Sequence, residues 1–157
     1  MLQKQAQWIA ISEVTQVFNS YFRALDEKNF EVSHLQLIFT PDAEIIRPNG
    51  TSMVGPQMIG NSHKESFARF RSTQHLLTGH DVTIDGEKAT IRANLVAMHL
   101  WAHGQGELHS LENFFLAGGV ITAQLVHTPE GWKMTRLENR IVWRAGSGFE
   151  SMANTDK

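Results

Sequence analysis

The chain has 157 residues, 41% of them hydrophobic and 19% charged, the size and balance of one folded domain rather than two. It contains no cysteine, which excludes thiolate catalysis, iron–sulfur clusters and cysteine zinc sites. Fourteen basic against sixteen acidic residues give a formal charge of −2, too balanced for a protein that binds by neutralising phosphates, and no apolar run approaches the roughly 20 residues that cross a bilayer. Neither nucleic acid nor a membrane is therefore an expected partner. The opening MLQKQAQWIAISEV lacks the apolar centre of a secretion signal, so the expected location is cytoplasmic. Eight histidines against one tyrosine pose the question of which of them do chemistry.

Apolar residues recur at three- and four-residue steps through Val14, Val17, Phe18, Tyr21, Phe22 and Leu25, predicting a first helix capped by Ser12 with Glu13 in its first turn. A short second helix is predicted over Val32, Leu35, Leu37, Ile38 and Phe39, stopped by Pro41, which disfavours helical geometry at Thr40. Strands at 43–47 and around Met53 flank a turn at Asn49-Gly50, and a third helix begins near Pro56 and runs through Ile59, His63, Phe67 and Phe70. The second half reads as sheet. Residues 73–84 lead into the tight-turn signal Asp85-Gly86 and the chain returns through 88–103. On that return Ala89, Ile91, Ala93, Leu95, Ala97, His99 and Trp101 share one face, and Thr90, Arg92 and Asn94 the other. A strand at 115–127 meets one at 132–143 through Pro129-Glu130-Gly131, and Gly118-Gly119 marks a bulge or bend. Three helices and long antiparallel strands give an α+β domain over 1–146, followed by a polar tail over 147–157.

The order of these elements, with the strings YFRALDEKNF, LIFTPDAEI, STQHLLTGHDVTIDGEKATIRA, GGVITAQLVHTPEGWKM and IVWRAG, resembles the SnoaL-like domain of the nuclear transport factor 2-like superfamily over about residues 10–146. The resemblance implies a cone-shaped, curved, mostly antiparallel sheet wrapped around three N-terminal helices, the cystatin-like fold, with a pocket at the wide end. It places the chain near the family's dehydratases for scytalone and bile acids and its hexachlorocyclohexane dehydrochlorinase, all of which carry out eliminations inside the cone. It also implies assembly as a homodimer or homotrimer through the outer face of the sheet, where Val96, Met98 and Leu100 are expected to stand. Because the same cone serves isomerases, cyclases and non-catalytic subunits, individual residues must carry an activity.

Asp26 falls in the last predicted turn of the first helix, where a carboxylate faces the negative end of the backbone dipole at a cost of about 0.3–1 kcal/mol. It is either a solvated acid beside Glu27 and Lys28 or an acid aimed into a pocket beside Phe22. The resemblance favours the pocket, because in the dehydratase and dehydrochlorinase relatives an aspartate at this place is paired with a histidine that begins the long hairpin, the place held here by His75. A carboxylate on one ring nitrogen fixes the tautomer and leaves the other nitrogen as a general base. His99 interrupts the inward face between Ala97 and Trp101 and is either a hydrogen-bonded structural residue or a second polar group of the pocket. Tyr21 is either a core aromatic or a donor to a substrate carbonyl. The expected lining comprises Phe18, Phe22, Leu95, Ala97, Trp101, Ile121 and Ile141, with Asn139 as a further inward polar group. His99 and His103 share a face but stand about 13 Å apart along a strand, too far for one ion. His80, His109 and His127 read as solvent-facing or loop residues, so no metal site is expected. The expected activity is that of a cofactor-independent lyase or isomerase acting on a small apolar carbonyl or hydroxy compound; the alternative is a non-catalytic ligand-binding or assembly subunit.

Overall fold

The computed structural model describes residues 1–103, 111–148 and 150. Its elements in chain order are α1 (Leu2–Glu27), α2 (Val32–Leu35), β1 (Phe39–Ile46), β2 (Ser52–Val54), α3 (Gly55–Phe67), β3 (Phe70–Asp85), β4 (Lys88–Trp101), β5 (Phe114–Thr128) and β6 (Gly131–Gly146). The strands form one curved, unclosed sheet in the order β2-β1-β6-β5-β4-β3. Neighbours run antiparallel except β1 and β6, which are parallel. The expected α+β cone is therefore the observed one, with β3 left as an edge strand.

The buried faces follow the two sequence periods. Val14, Phe18, Tyr21, Phe22 and Leu25 face the core from α1, and Ala89, Ile91, Ala93, Leu95 and Ala97 meet them from alternate positions of β4. The Asp85-Gly86 signal becomes a two-residue turn in which Asp85 faces Lys88 and Gly86 takes φ +59°. At Gly118-Gly119 the register of β5 against β6 slips, as a bulge requires.

Four local expectations are corrected. The first helix starts at Leu2, ten residues before Ser12, because 2–11 is rich in good helix formers and simply continues the turn pattern; its Leu2, Trp8 and Ile9 are exposed. The second helix ends at Leu35, and Phe39 opens a strand instead. Pro41 is tolerated within β1 because the ladder to β6 is interrupted between Phe39 and Glu44, where its missing N–H is not needed. Phe70 belongs to β3 rather than to the third helix, the neighbouring Arg69 carbonyl accepting from Ala102 N. Leu100, expected on the outer face, is buried, the alternation of β4 breaking where His99 and Leu100 are both enclosed. Of the expected tail, only 147, 148 and 150 lie within the described residues.

Close packing sets where α3 sits. Gly60 lies against the Phe30 backbone, and a Cβ there would stand 2.6 Å from the Phe30 carbonyl oxygen. One turn further along the same buried stripe is His63, 8% exposed, and across the core His99 is equally enclosed. Burial, aided by the charges of Arg47 and His75, pushes His63 down to about 3. Burial and His75 push His99 down to about 4.

Two expected outcomes follow from this packing. Gly60→Ala, a change that ordinarily favours a helix by about 1 kcal/mol, should here destabilise by about 1–3 kcal/mol through displacement of Phe30, read as a lower urea midpoint. Acidification should also destabilise the fold from about pH 6.5 downward: the unfolded chain protonates both histidines at that point, whereas the folded chain resists until about pH 4 for His99 and 3 for His63. Between those limits the unfolded state binds more protons, so stability falls as pH falls, by up to about 1.4 kcal/mol per unit per histidine. Urea midpoints measured at neutral pH and near pH 5 check the sign, and a His63→Leu variant should show a shallower slope.

Candidate active site

The site begins with the way α1 ends. Lys28 adopts a left-handed conformation, φ 52°, and closes the helix with Asn29 N–H donating to Ala24 O and Lys28 N–H to Leu25 O. That stop leaves Asp26 in the last turn, beside the free edge of β3. His75 on β3 faces Ala97 of β4, but its backbone N–H points off the sheet and donates to Asp26 Oδ2 at 3.0 Å. Its ring Nδ1 lies 2.6 Å from Asp26 Oδ1, and Thr73 Oγ1 donates to the same oxygen at 2.8 Å. One residue pair thus joins helix end, edge strand and imidazole. Lys28 Nζ adds a bond to the Phe70 carbonyl further along that edge.

The electrostatics follow from these bonds. Burial pushes the Asp26 carboxyl up, but the hydrogen bonds from the His75 ring and backbone, the charge on His75 and the Thr73 hydroxyl outweigh it, and the group is held below the usual carboxylate range. Asp26 is ionised at neutral pH, and a carboxylate only accepts, so Nδ1 of His75 carries the proton and Nε2 is the free, basic nitrogen. The three donors offset the unfavourable dipole end at which the acid stands. The His75 side chain is 5% exposed and that of Asp26 26%. The ring is surrounded by Phe22, Phe67 and the edge of His99, with centroids at 5.8, 6.4 and 5.9 Å.

A cleft of about 340 Å³ opens beside this pair, within the size range of small-molecule sites. Helix α1 contributes Asn19, Phe22, Arg23, Asp26 and Glu27 to it, and β3 contributes His75, Leu77 and His80. The cleft lies between the helix and the edge strand. Of the apolar lining expected from the sequence only Phe22 is there. Phe18, Leu95, Ala97 and Ile121 are packed in the main core, and Trp101 and Ile141 pack with Phe70, Phe115 and Ala117 in a second cluster.

The remaining polar residues are distributed around that core. Tyr21 is buried with its hydroxyl 2.7 Å from Nε2 of His63, a partner not anticipated although His63 falls on the apolar stripe of α3. Burial pushes the Tyr21 phenol far up against a smaller opposing effect of Arg47, so it keeps its proton. His99 stacks flat on Phe115, centroids 3.9 Å apart and planes within 7°. Its Nδ1 and the Asn139 Oδ1 are buried without a hydrogen-bond partner among the described residues. His80, expected as a solvent-facing or loop residue, is instead half-buried on β3 and lines the cleft; the signal for it was a glycine, Gly79, inside a strand pattern. Thr73 was also legible, two residues before His75 and so on the same face. His109 lies outside the described residues. Among the described residues no three His, Asp or Glu side chains converge as the ligands of a cation would, and no helix is long and apolar enough to cross a membrane.

Comparison with known proteins agrees with this architecture. Kfla4162 from Kribbella flavida superposes with a TM-score of 0.79 at 26% identity, over 88% of this chain and 95% of its own. A Novosphingobium aromaticivorans protein provisionally designated a scytalone dehydratase gives 0.77 at 16% identity over 92% of each chain. A type 2 hexachlorocyclohexane dehydrochlorinase gives 0.73 at 15% identity over 94% of this chain and 93% of its own. No curated protein matches the sequence. The model of the SnoaL-like domain matches residues 7–138, and the chain therefore belongs to the SnoaL-like domain family.

Proposed function

We propose that the chain is a cofactor-independent lyase of the dehydratase type, or an isomerase, that removes a proton next to the carbonyl of a small, largely apolar compound. The observation that carries this reading is the Asp26–His75 pair, whose 2.6 Å bond fixes the proton on Nδ1 and leaves Nε2 to act as base. In the elimination, Nε2 takes the proton, the C–H electron pair forms the new double bond, and the C–O bond breaks. The proton held by the imidazolium then returns to the departing hydroxide, which leaves as water. Asp26 stabilises the imidazolium while it exists. His99 stands against His75 with ring centroids 5.9 Å apart but is enclosed on Phe115, outside the cleft lining. Tyr21 reaches a substrate only by exchanging its bond to His63. The same proton transfer without loss of hydroxide shifts a double bond, which is the isomerase form. The names borne by two of the structural relatives, a scytalone dehydratase and a dehydrochlorinase, are those of elimination enzymes and support the class.

The second reading, a non-catalytic binding or assembly subunit, is favoured by one specific observation. Asp26 also accepts the backbone N–H of an edge strand and the Thr73 hydroxyl, bonds that serve stability whether or not the imidazole reacts. In either reading copies of the chain associate through the outer face of the sheet. There the register aligns Leu76, Val96, Gly118 and Trp143 in one row, with Leu76 55% and Trp143 45% exposed.

Exchange of α-protons and loss of water from a panel of hydroxyketones in deuterated buffer, followed by NMR, separates the two readings. Wild-type protein should exchange at least one member of the panel, with His75→Ala slower by about 10²–10⁴-fold while still folded, though less stable for loss of the ring's bond to Asp26. Asp26→Asn should lose both activity and stability, the latter above about pH 4: the folded pKa of Asp26 is depressed, so its contribution is present above the unfolded value and lost as pH falls through the folded one. Equal rates for wild type and His75→Ala would leave only the structural role.

A further inference from the structure

His75 and His80 stand five positions apart on β3, and in a regular strand that odd offset would put them on opposite faces. The register of β3 against β4 slips between Thr78 and Asp81, and Gly79 takes φ +65°. At Gly79 a Cβ would stand 3.2 Å from the Asn94 side-chain amide, so both the conformation and the space call for glycine. The bulge brings His80 round to the side of His75, and both rings line the cleft between α1 and β3. His80 is then held from two directions. Its Nε2 lies 2.9 Å from Asn19 Oδ1, and its ring meets that of Phe18 edge-on at 5.8 Å. An amide oxygen only accepts, so Nε2 carries the proton and Nδ1 of the neutral ring remains an acceptor.

We propose that His80 is a specificity-determining residue, which the Gly79 bulge and the Asn19 amide set to accept a hydrogen bond from a substrate hydroxyl at the end of the cleft remote from His75. The inference rests on the reading of His75 as the base and narrows its substrate class. Roughly 15 Å of strand separates the two histidine Cα atoms. A compound that places its reacting carbon over His75 and a hydroxyl against His80 is therefore of bicyclic length or longer, not a short-chain ketone. Between two polar ends, Asp26 with His75 and Asn19 with His80, the cleft is walled by Phe22 and Leu77, with the paired Arg23 and Glu27 along its exposed helix side. Such an arrangement suits an apolar ring system carrying oxygen at both ends.

The test uses a matched pair of bicyclic β-hydroxyketones that differ only in a further hydroxyl on the ring remote from the ketone. Turnover is measured for wild type, His80→Phe, Asn19→Ala and His75→Ala, and binding of both compounds is measured by calorimetry on wild type and His80→Phe. Wild type should prefer the compound with the further hydroxyl by about five- to tenfold in KM and Kd, the worth of one hydrogen bond. His80→Phe, which keeps a ring against Phe18, should abolish that preference with kcat changed by less than about twofold. Asn19→Ala, which frees the tautomer, should erode the preference in part. A preference that survives in His80→Phe, or equal affinity of wild type for the two compounds, absence of binding included, overturns the proposal. Failure of the underlying reading is seen separately, as turnover undiminished in His75→Ala.

Discussion

A carboxylate in the last turn of a helix faces a cluster of unpaired carbonyl oxygens and is normally better placed elsewhere. Asp26 is held there by three donors from β3: the backbone N–H and ring Nδ1 of His75 and the hydroxyl of Thr73. Much else depends on this bridge. It fastens the end of α1 to the sheet and occupies a position on the free edge of β3 where another chain could add a strand. It keeps the acid ionised and, through the acid, decides which nitrogen of His75 bears the proton.

The same strand supplies both ends of the cleft because its geometry changes along its length. From Ser72 to Thr78 its pairing is regular, so Thr73, His75 and Leu77 alternate toward α1. Its second half is bulged at Gly79, which brings His80 back to the same side. A sheet whose edge strand were unbulged would present one histidine to the helix rather than two. The polar groups that do not reach the cleft, Tyr21 with His63 and His99 on Phe115, lie within an aromatic shell around His75. Their burial keeps both histidines neutral near pH 7, so no second positive charge competes with an imidazolium on His75.

The architecture was legible because long strands and a strongly periodic helix leave few alternatives. The Asp85-Gly86 turn, the alternation of β4 and the Gly118-Gly119 slip were all visible in residue order. The failures were local. Residues 2–9 are exposed and carry no core stripe, so helical propensity alone lengthens α1 there, and Pro41, a stop signal in residue order, sits inside a strand where the ladder is interrupted. The juxtaposition of Asp26 and His75 follows from a family resemblance, since the two stand 49 positions apart and no spacing rule connects a helix end to a strand edge. The lining was misplaced because strand alternation tells which residues face inward but not whether the interior is filled by its own side chains. Here Phe18, Leu95 and Ile121 fill it. His80 escaped notice because parity along a strand reverses at a bulge, and only the mid-strand glycine hinted at one.

The most direct measurement of the central claim is the tautomer of His75 at neutral pH, read from nitrogen-15 chemical shifts and one-bond N–H couplings in histidine-labelled protein. A proton fixed on Nδ1 and in slow exchange with solvent, with Nε2 bare, is the result the Asp26 bond requires. A proton on Nε2, or two nitrogens averaged by free rotation and exchange, would show that the carboxylate does not grip the ring and would contradict the account.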